Sequence, residues 1–192
     1  MHDTTLPSIE SGYAWWLAGL ALLIASIAFA AATCVPLLLK PMQADLGIST
    51  KSLSLVHMTM LVGAGFGGLV FGRIGERVGF LPLAVTGALA ISAGLAGTAL
   101  AQGVTTLVLS VGLLIGFFGQ GIFFSPMTGE LSQWFDRHRA LAIAIVASGQ
   151  GAGGLFLAPA LRISAQHWGW RETLAGFAIV GGAVLLACVL GF

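Results

Sequence analysis

The sequence predicts an all-α membrane protein whose six transmembrane helices form an inverted three-plus-three repeat. Three observations predict it: charge is scarce, six apolar stretches are long enough to cross a bilayer, and the basic residues lie in the connections between them. Only 8% of the 192 residues are charged and 57% are hydrophobic, whereas a water-soluble domain carries about 25% charged residues. Mean hydropathy is +0.99. So few charges cannot coat a water-facing surface, so the lipid bilayer is the solvent for most of it. The net charge of +1 argues against nucleic acid as a partner, which would call for a basic face.

The stretches free of Asp, Glu, Lys and Arg are Trp15–Leu39, Ser52–Gly72, Phe80–Ala101, Thr106–Thr128, Ala140–Leu161 and Thr173–Phe192. Residues 1–14 precede them as a tail, and 15–192 form the bundle. About 20 residues rising 1.5 Å each cover the hydrocarbon core. Peptide groups in lipid must bond within their own segment, so each stretch is expected to be a helix. A barrel would need alternating strands of about 10 residues. The 28 glycines suit membrane helices better than soluble ones. Ala28-Phe29-Ala30 looks like a signal-peptide cleavage site. However, Asp3 and Glu10 precede the first basic residue, Lys40, and the apolar run exceeds a signal core. A retained helix is expected.

All eight Lys and Arg fall in the connections Lys40–Lys51, Arg73–Gly79, Gln102–Thr105, Gly129–Arg139 and Arg162–Glu172. Trp15, Trp16, Trp134, Trp168 and Trp170 stand at stretch ends, where interfacial aromatics gather. Charge does not orient the chain: Arg73, Arg77, Arg137 and Arg139 on one side balance Lys40, Lys51, Arg162 and Arg171 on the other. The stretches divide into two equally long sets of three. Three is odd, so the second set enters from the opposite side, as in an inverted repeat. No residue-level repeat is evident.

Small residues recur at four-residue spacing: Gly63 and Gly67, Gly112 and Gly116, Gly149 and Gly153. Such faces let helix backbones approach closely. Polar residues within the stretches are the candidates for a substrate path. Thr33 and Gln120 lead, with Phe117, Phe124 and Ser125 beside Gln120, and with Ser148 and Gln150 weaker. Gln120 serves equally as an interhelical hydrogen bond. His57, near one end of the second stretch, reads as an interfacial histidine, with a proton site as the alternative. Cys34 and Cys188 sit singly in apolar runs, and His2, His57, His138 and His167 are scattered. No metal and no cofactor is expected.

Two motifs carry a family resemblance. Gly72-Arg73-Ile74-Gly75-Glu76-Arg77-Val78-Gly79 resembles the signature loop of the major facilitator superfamily, with Glu76 in place of its Asp and Phe80-Leu81 in place of its final basic pair. The second runs through Trp134-Phe135-Asp136-Arg137-His138-Arg139, then Ser148-Gly149, Gly153, Pro159 and Gly169-Trp170-Arg171. It resembles the monocarboxylate and oxalate/formate type of porter. His138 stands where a second Arg is common, and Phe117 where drug and sugar transporters of the superfamily carry Arg.

The resemblance implies half of a twelve-helix fold, with the second and fourth connections and the N-terminal tail on the cytoplasmic side of an inner or plasma membrane. Gly72, Glu76, Arg77, Gly79, Arg137 and Arg139 would form a gating loop that latches the two halves. The implied activity is secondary active transport of a small solute, a monocarboxylate or other organic anion, by alternating access, with a proton as candidate co-substrate and no enzymatic step. The partner would be a C-terminal six-helix half or a second copy of the chain. A non-transporting six-helix module stays open as an alternative. An intramembrane serine protease is not supported, because Ser148-Gly149 lacks a helical histidine to act as base. A six-helix carrier of threefold repeat fails because Pro36/Lys40 has no counterparts.

Overall fold

The computed structural model describes residues 12–191, except the side chains of residues 124 and 125. Six long helices form the bundle: α1 Gly12–Ala32, α2 Thr50–Val78, α3 Phe80–Ala99, α4 Val104–Leu131, α5 Arg139–Trp168 and α6 Trp170–Leu190. Each is long and apolar enough to cross a membrane. The chain is an integral, multi-pass membrane protein.

Where a helix stops is set by backbone chemistry more than by charge. The predicted connection Arg73–Gly79 is helical up to Val78, and Gly79 alone makes the turn at φ 87° and ψ 166°. Gly169 does the same between α5 and α6 at φ 91° and ψ 159°. Both conformations lie in a positive-φ region that side chains avoid. α2 has 29 residues, about 43 Å at 1.5 Å each. Its last turns therefore project beyond the ~30 Å hydrocarbon layer, and Arg73, Glu76 and Arg77 ride on them.

The first predicted span is broken twice. α1 ends at Ala32 and continues as short helices Cys34–Leu37 and Leu39–Leu46, with irregular backbone at Thr33 and Leu38. Pro36 and Pro41 explain both breaks, because each ring lacks an N–H and crowds the carbonyl four residues back, at Ala32 and Leu37. Gly47 at φ 62° ends the second short helix, and Ser49 caps α2 by accepting from the Ser52 N–H at 3.2 Å. Wide, π-type turns run over Val108–Gln120 in α4 and Gly153–Leu157 in α5.

The helices pack as α2 on α4, α1 on α5 and α3 on α6. Glycines set the first two crossings. A Cβ on Gly63 would lie 2.5 Å from the Gly112 carbonyl oxygen, and one on Gly116 2.5 Å from that of Met60. Gly67 lies against the Phe117 carbonyl and Gly121. On the other side, a Cβ on Gly149 would meet the Leu22 carbonyl oxygen at 2.5 Å, and Gly153 rests against Ser26. No side chain fits these gaps, so backbone meets backbone.

These contacts expose a repeat that the residue types conceal. The numbering offset that carries Gly79 to Gly169 also carries Gly63 to Gly153, Ser26 to Gly116, Leu22 to Gly112 and Thr59 to Gly149. The Gly63–Gly116 contact thereby becomes Gly153–Ser26, and Thr59–Gly112 becomes Leu22–Gly149. The same offset takes Ser92 on α3 to Gly182 on α6, and these two face each other. Their contact marks the pseudo-twofold axis of the inverted repeat.

Hydroxyls within the bundle bond to their own helix. Ser26 donates to the Leu22 carbonyl at 2.8 Å, Thr59 to Val56 at 2.7 Å, Thr98 to Gly94 at 2.7 Å and Ser110 to Thr106 at 2.8 Å. This keeps polar groups satisfied where no water competes.

Enlarging a crossing glycine is expected to separate two backbones. Gly116→Val should lower stability by about 1–3 kcal/mol or more, as overpacking does. Gly151→Ala, whose Cβ meets nothing within 4 Å, should stay within about 1 kcal/mol. Thermal unfolding of the two variants in detergent checks the contrast.

Candidate functional site

Most of the exposed surface is apolar, including large side chains such as Leu55, Met58 and Phe66 on α2 and Leu155 and Phe156 on α5. Against that background, a cleft of about 460 Å³ opens between α1, α2, α4 and α5. Each helix contributes one polar side chain: Thr33 just past α1, His57 from α2, Gln120 from α4 and Gln150 from α5. Phe29, Met60, Leu61 and Ala64 line the rest. The two crossings create it, since they draw α2 to α4 and α5 to α1 with the polar positions on the shared side.

The polar groups differ in what they have left to offer. Thr33 Oγ1 donates to the Phe29 and Ala30 carbonyls at 3.1 Å each. Gln120 closes the wide-turn stretch of α4 and donates through Nε2 to the Ala28 carbonyl at 2.5 Å, so it ties α4 to α1 and lines the cleft as well. Gln150 has no side-chain hydrogen bond to the described residues. His57 Nδ1 is buried and, among the described residues, without a partner. Lining residues include no Asp, Glu, Lys or Arg.

The structure places the other sequence candidates elsewhere. Phe117 packs with Phe71 and Phe118 at ring-centroid distances of 5.2 Å each. It lines a separate apolar groove between α2 and α4. Ser148 is exposed on α5 and donates to the Ile145 carbonyl at 2.6 Å. The side chains of Phe124 and Ser125 lie outside the described residues. His57 and Gln150, which the sequence reading sets below Thr33 and Gln120, line the same cleft. A polar residue within each long apolar run was their signal, but the sequence does not reveal which helices converge.

At the end where α2 and α4 finish, a second cleft of about 270 Å³ is lined by Gly72, Gly75, Glu76, Pro126, Glu130 and Gln133. Arg77, Gly79 and Arg137 are exposed here, and Arg139 donates to Ser132 Oγ at 3.0 Å. Among the described residues, no ion pair joins Glu76, Arg77, Arg137 or Arg139 to one another. The connection after α4 is clamped to the start of α1 by aromatic rings, with Trp15 edge-on to Phe135 at 5.0 Å and Tyr13 to Trp134 at 5.7 Å.

At the opposite end a single arginine holds three elements. Arg171 pairs with Asp45 at 2.9 Å, donates to the Ala99 carbonyl at 2.7 Å and lies over the Trp170 ring at 4.4 Å. It fastens the start of α6 to the end of α3 and to the connection before α2. Arg171→Ala should lower stability by about 1–2 kcal/mol. Arg171→Lys should restore only part of this, because an ammonium cannot serve a carboxylate, a carbonyl and a ring face as a planar fork does. Thermal melts of both variants measure the difference.

The family model of the Major Facilitator Superfamily matches residues 17–192. Human monocarboxylate transporter 11 is 29% identical over 187 residues, covering 94% of this chain and 40% of that protein. Human monocarboxylate transporter 12 is 28% identical over 186 residues, covering 95% and 34%. The MFS-type transporter pynF of Aspergillus niger is 28% identical over 145 residues, covering 75% and 33%. The chain thus spans about two fifths or less of the length of these curated relatives. Six helices in an inverted repeat, with a polar cleft between α1, α2, α4 and α5, and a family match over nearly all the described residues lead to one conclusion: the chain belongs to the Major Facilitator Superfamily.

Proposed function

We propose that the chain forms the N-terminal six-helix bundle of a secondary active transporter for a small organic anion of the monocarboxylate class. It works by alternating access with a second bundle. The observation that carries this reading is the cleft itself, where four helices each place one polar side chain in an otherwise apolar wall. A non-transporting module gives no reason for that convergence. The names of the relatives, monocarboxylate transporters 11 and 12, support the substrate class.

Alternating access needs two bundles rocking about one site. The second is supplied by a further six-helix half or by another copy of the chain. It covers the faces of α2 and α5 beside the cleft, where Leu61, Phe66 and Phe156 are exposed. The end bearing Arg73, Glu76, Arg77, Arg137 and Arg139 faces the cytoplasm together with the start of α1. There Glu76 and Arg77 meet the second bundle and act in gating, with no role in choosing the substrate. A co-transported proton fits a cleft that has no fixed charge.

Uptake of labelled pyruvate into proteoliposomes containing the full-length protein tests this. Saturable, gradient-driven uptake is expected, and uptake no faster than in empty vesicles would overturn the reading. Glu76→Ala and Arg77→Ala are expected to slow transport of every substrate by a similar factor, on the order of tenfold. A change in the ranking of substrates would contradict the gating role.

A further inference from the structure

Among the described residues, His57 holds the buried side-chain polar atom that the bundle leaves unsatisfied. Its Nδ1 is buried without a hydrogen-bond partner, which costs free energy and calls for an explanation. Its position narrows the explanation, because it lines the polar cleft beside Thr33, Gln120 and Gln150. A carboxylate bound against that wall gives up part of its hydration and is favoured by a positive charge beside it, and the lining holds no Lys or Arg.

The surroundings leave the imidazole as the group able to supply that charge within this chain. α3 packs on α2 and has no titratable side chain, and the cleft-lining residues of α1, α4 and α5 add none. Of the two short helices after α1 that pack on α2, Cys34–Leu37 brings the fully buried Cys34 thiol. Leu39–Leu46 brings Lys40 and Asp45, and Asp45 is paired with Arg171. Lys51 sits at the start of α2, before His57.

We propose that His57 is the substrate-carboxylate site of the cleft and carries the proton that accompanies the anion. The inference rests on the organic-anion reading above. A proton from water forms the second N–H bond of the imidazole, and the imidazolium then pairs with the carboxylate, which stays an anion. The pair is net neutral. No other bond forms or breaks, and on the far side proton and anion are released together. Gln120 and Thr33 stand beside the pair as hydrogen-bonding groups.

Binding of labelled pyruvate to the full-length protein in lipid nanodiscs, measured between about pH 5.5 and 7.5, tests the assignment. Anion binding favours the protonated ring, so affinity should rise as pH falls, by up to about tenfold per unit. His57→Gln should lose about tenfold or more at the acid end and flatten the profile. Affinity for uncharged lactamide should not change between wild type and variant. A variant with wild-type affinity and pH profile for pyruvate would overturn the role of His57 and leave the transporter reading standing. A wild type that binds no pyruvate at any pH would refute the organic-anion reading, and this inference with it.

A second measurement does not depend on the variant folding. In the full-length protein labelled with ¹³C-histidine, the His57 resonance, isolated by replacing every other histidine, should shift when pyruvate is added. A resonance indifferent to pyruvate under conditions where binding is saturated would overturn the proposal.

Discussion

The structure depends on two places where helix backbones touch with no side chain between them. Gly63, Gly67, Gly112, Gly116 and Gly121 bring α2 against α4, and Gly149 and Gly153 bring α5 against α1. Lipid tails are as apolar as leucine side chains, so burial gives little drive for helices to associate in a membrane. Close packing and interhelical hydrogen bonds take its place. The glycine contacts supply the first and Gln120, bonded to the Ala28 carbonyl, the second. Once these crossings are made, the polar residues of four helices share one cleft. Loosen either crossing and Thr33, His57, Gln120 and Gln150 no longer face a common space.

The second of the two motifs that carry the family resemblance clamps this arrangement at both ends. At one end, Trp134 and Phe135 pack against Tyr13 and Trp15, so the connection between α4 and α5 is anchored on the start of α1. At the other, Trp170 is buried and Arg171 ties α6 to Asp45 and to the end of α3. Between the clamps, hydroxyls bond within their own helices and the surface is apolar. Charge is kept to the ends, where α2 in particular is long enough to lift Arg73, Glu76 and Arg77 into the aqueous layer.

Much of the fold was legible in the sequence because the bilayer imposes a simple rule: an uncharged run of sufficient length must be a helix. That rule located six spans but not their ends. Arg73–Val78 looked like a loop because it is charged, yet a helix leaving the membrane has no reason to unwind until a residue such as Gly79 permits the turn. The breaks at Thr33 and Leu38 could have been read from Pro36 and Pro41. The internal repeat was hidden because it conserves a backbone distance rather than residue types. Gly63 corresponds to Gly153, but their contact partners, Gly116 and Ser26, share only smallness. The candidate site was half legible. Polar residues in apolar runs stood out, but periodicity does not say which helices become neighbours. Hence Phe117, close to Gln120 in sequence, lies in the aromatic cluster with Phe71 and Phe118, and His57, distant in sequence, lies in the cleft.

If the cleft between α1, α2, α4 and α5 is the substrate path, water reaches it, while the more exposed faces of α3 and α6 lie in hydrocarbon. Labelling of single cysteines by a water-soluble maleimide in native membranes tests it directly, in a protein with Cys34 and Cys188 replaced by serine. Ala64→Cys and Gln150→Cys in the cleft should label readily. Leu89→Cys and Ile179→Cys, at positions 53% and 74% exposed on α3 and α6, should resist the reagent until detergent is added. Labelling of the α3 and α6 positions in intact membranes, with the cleft positions inert, would contradict the account.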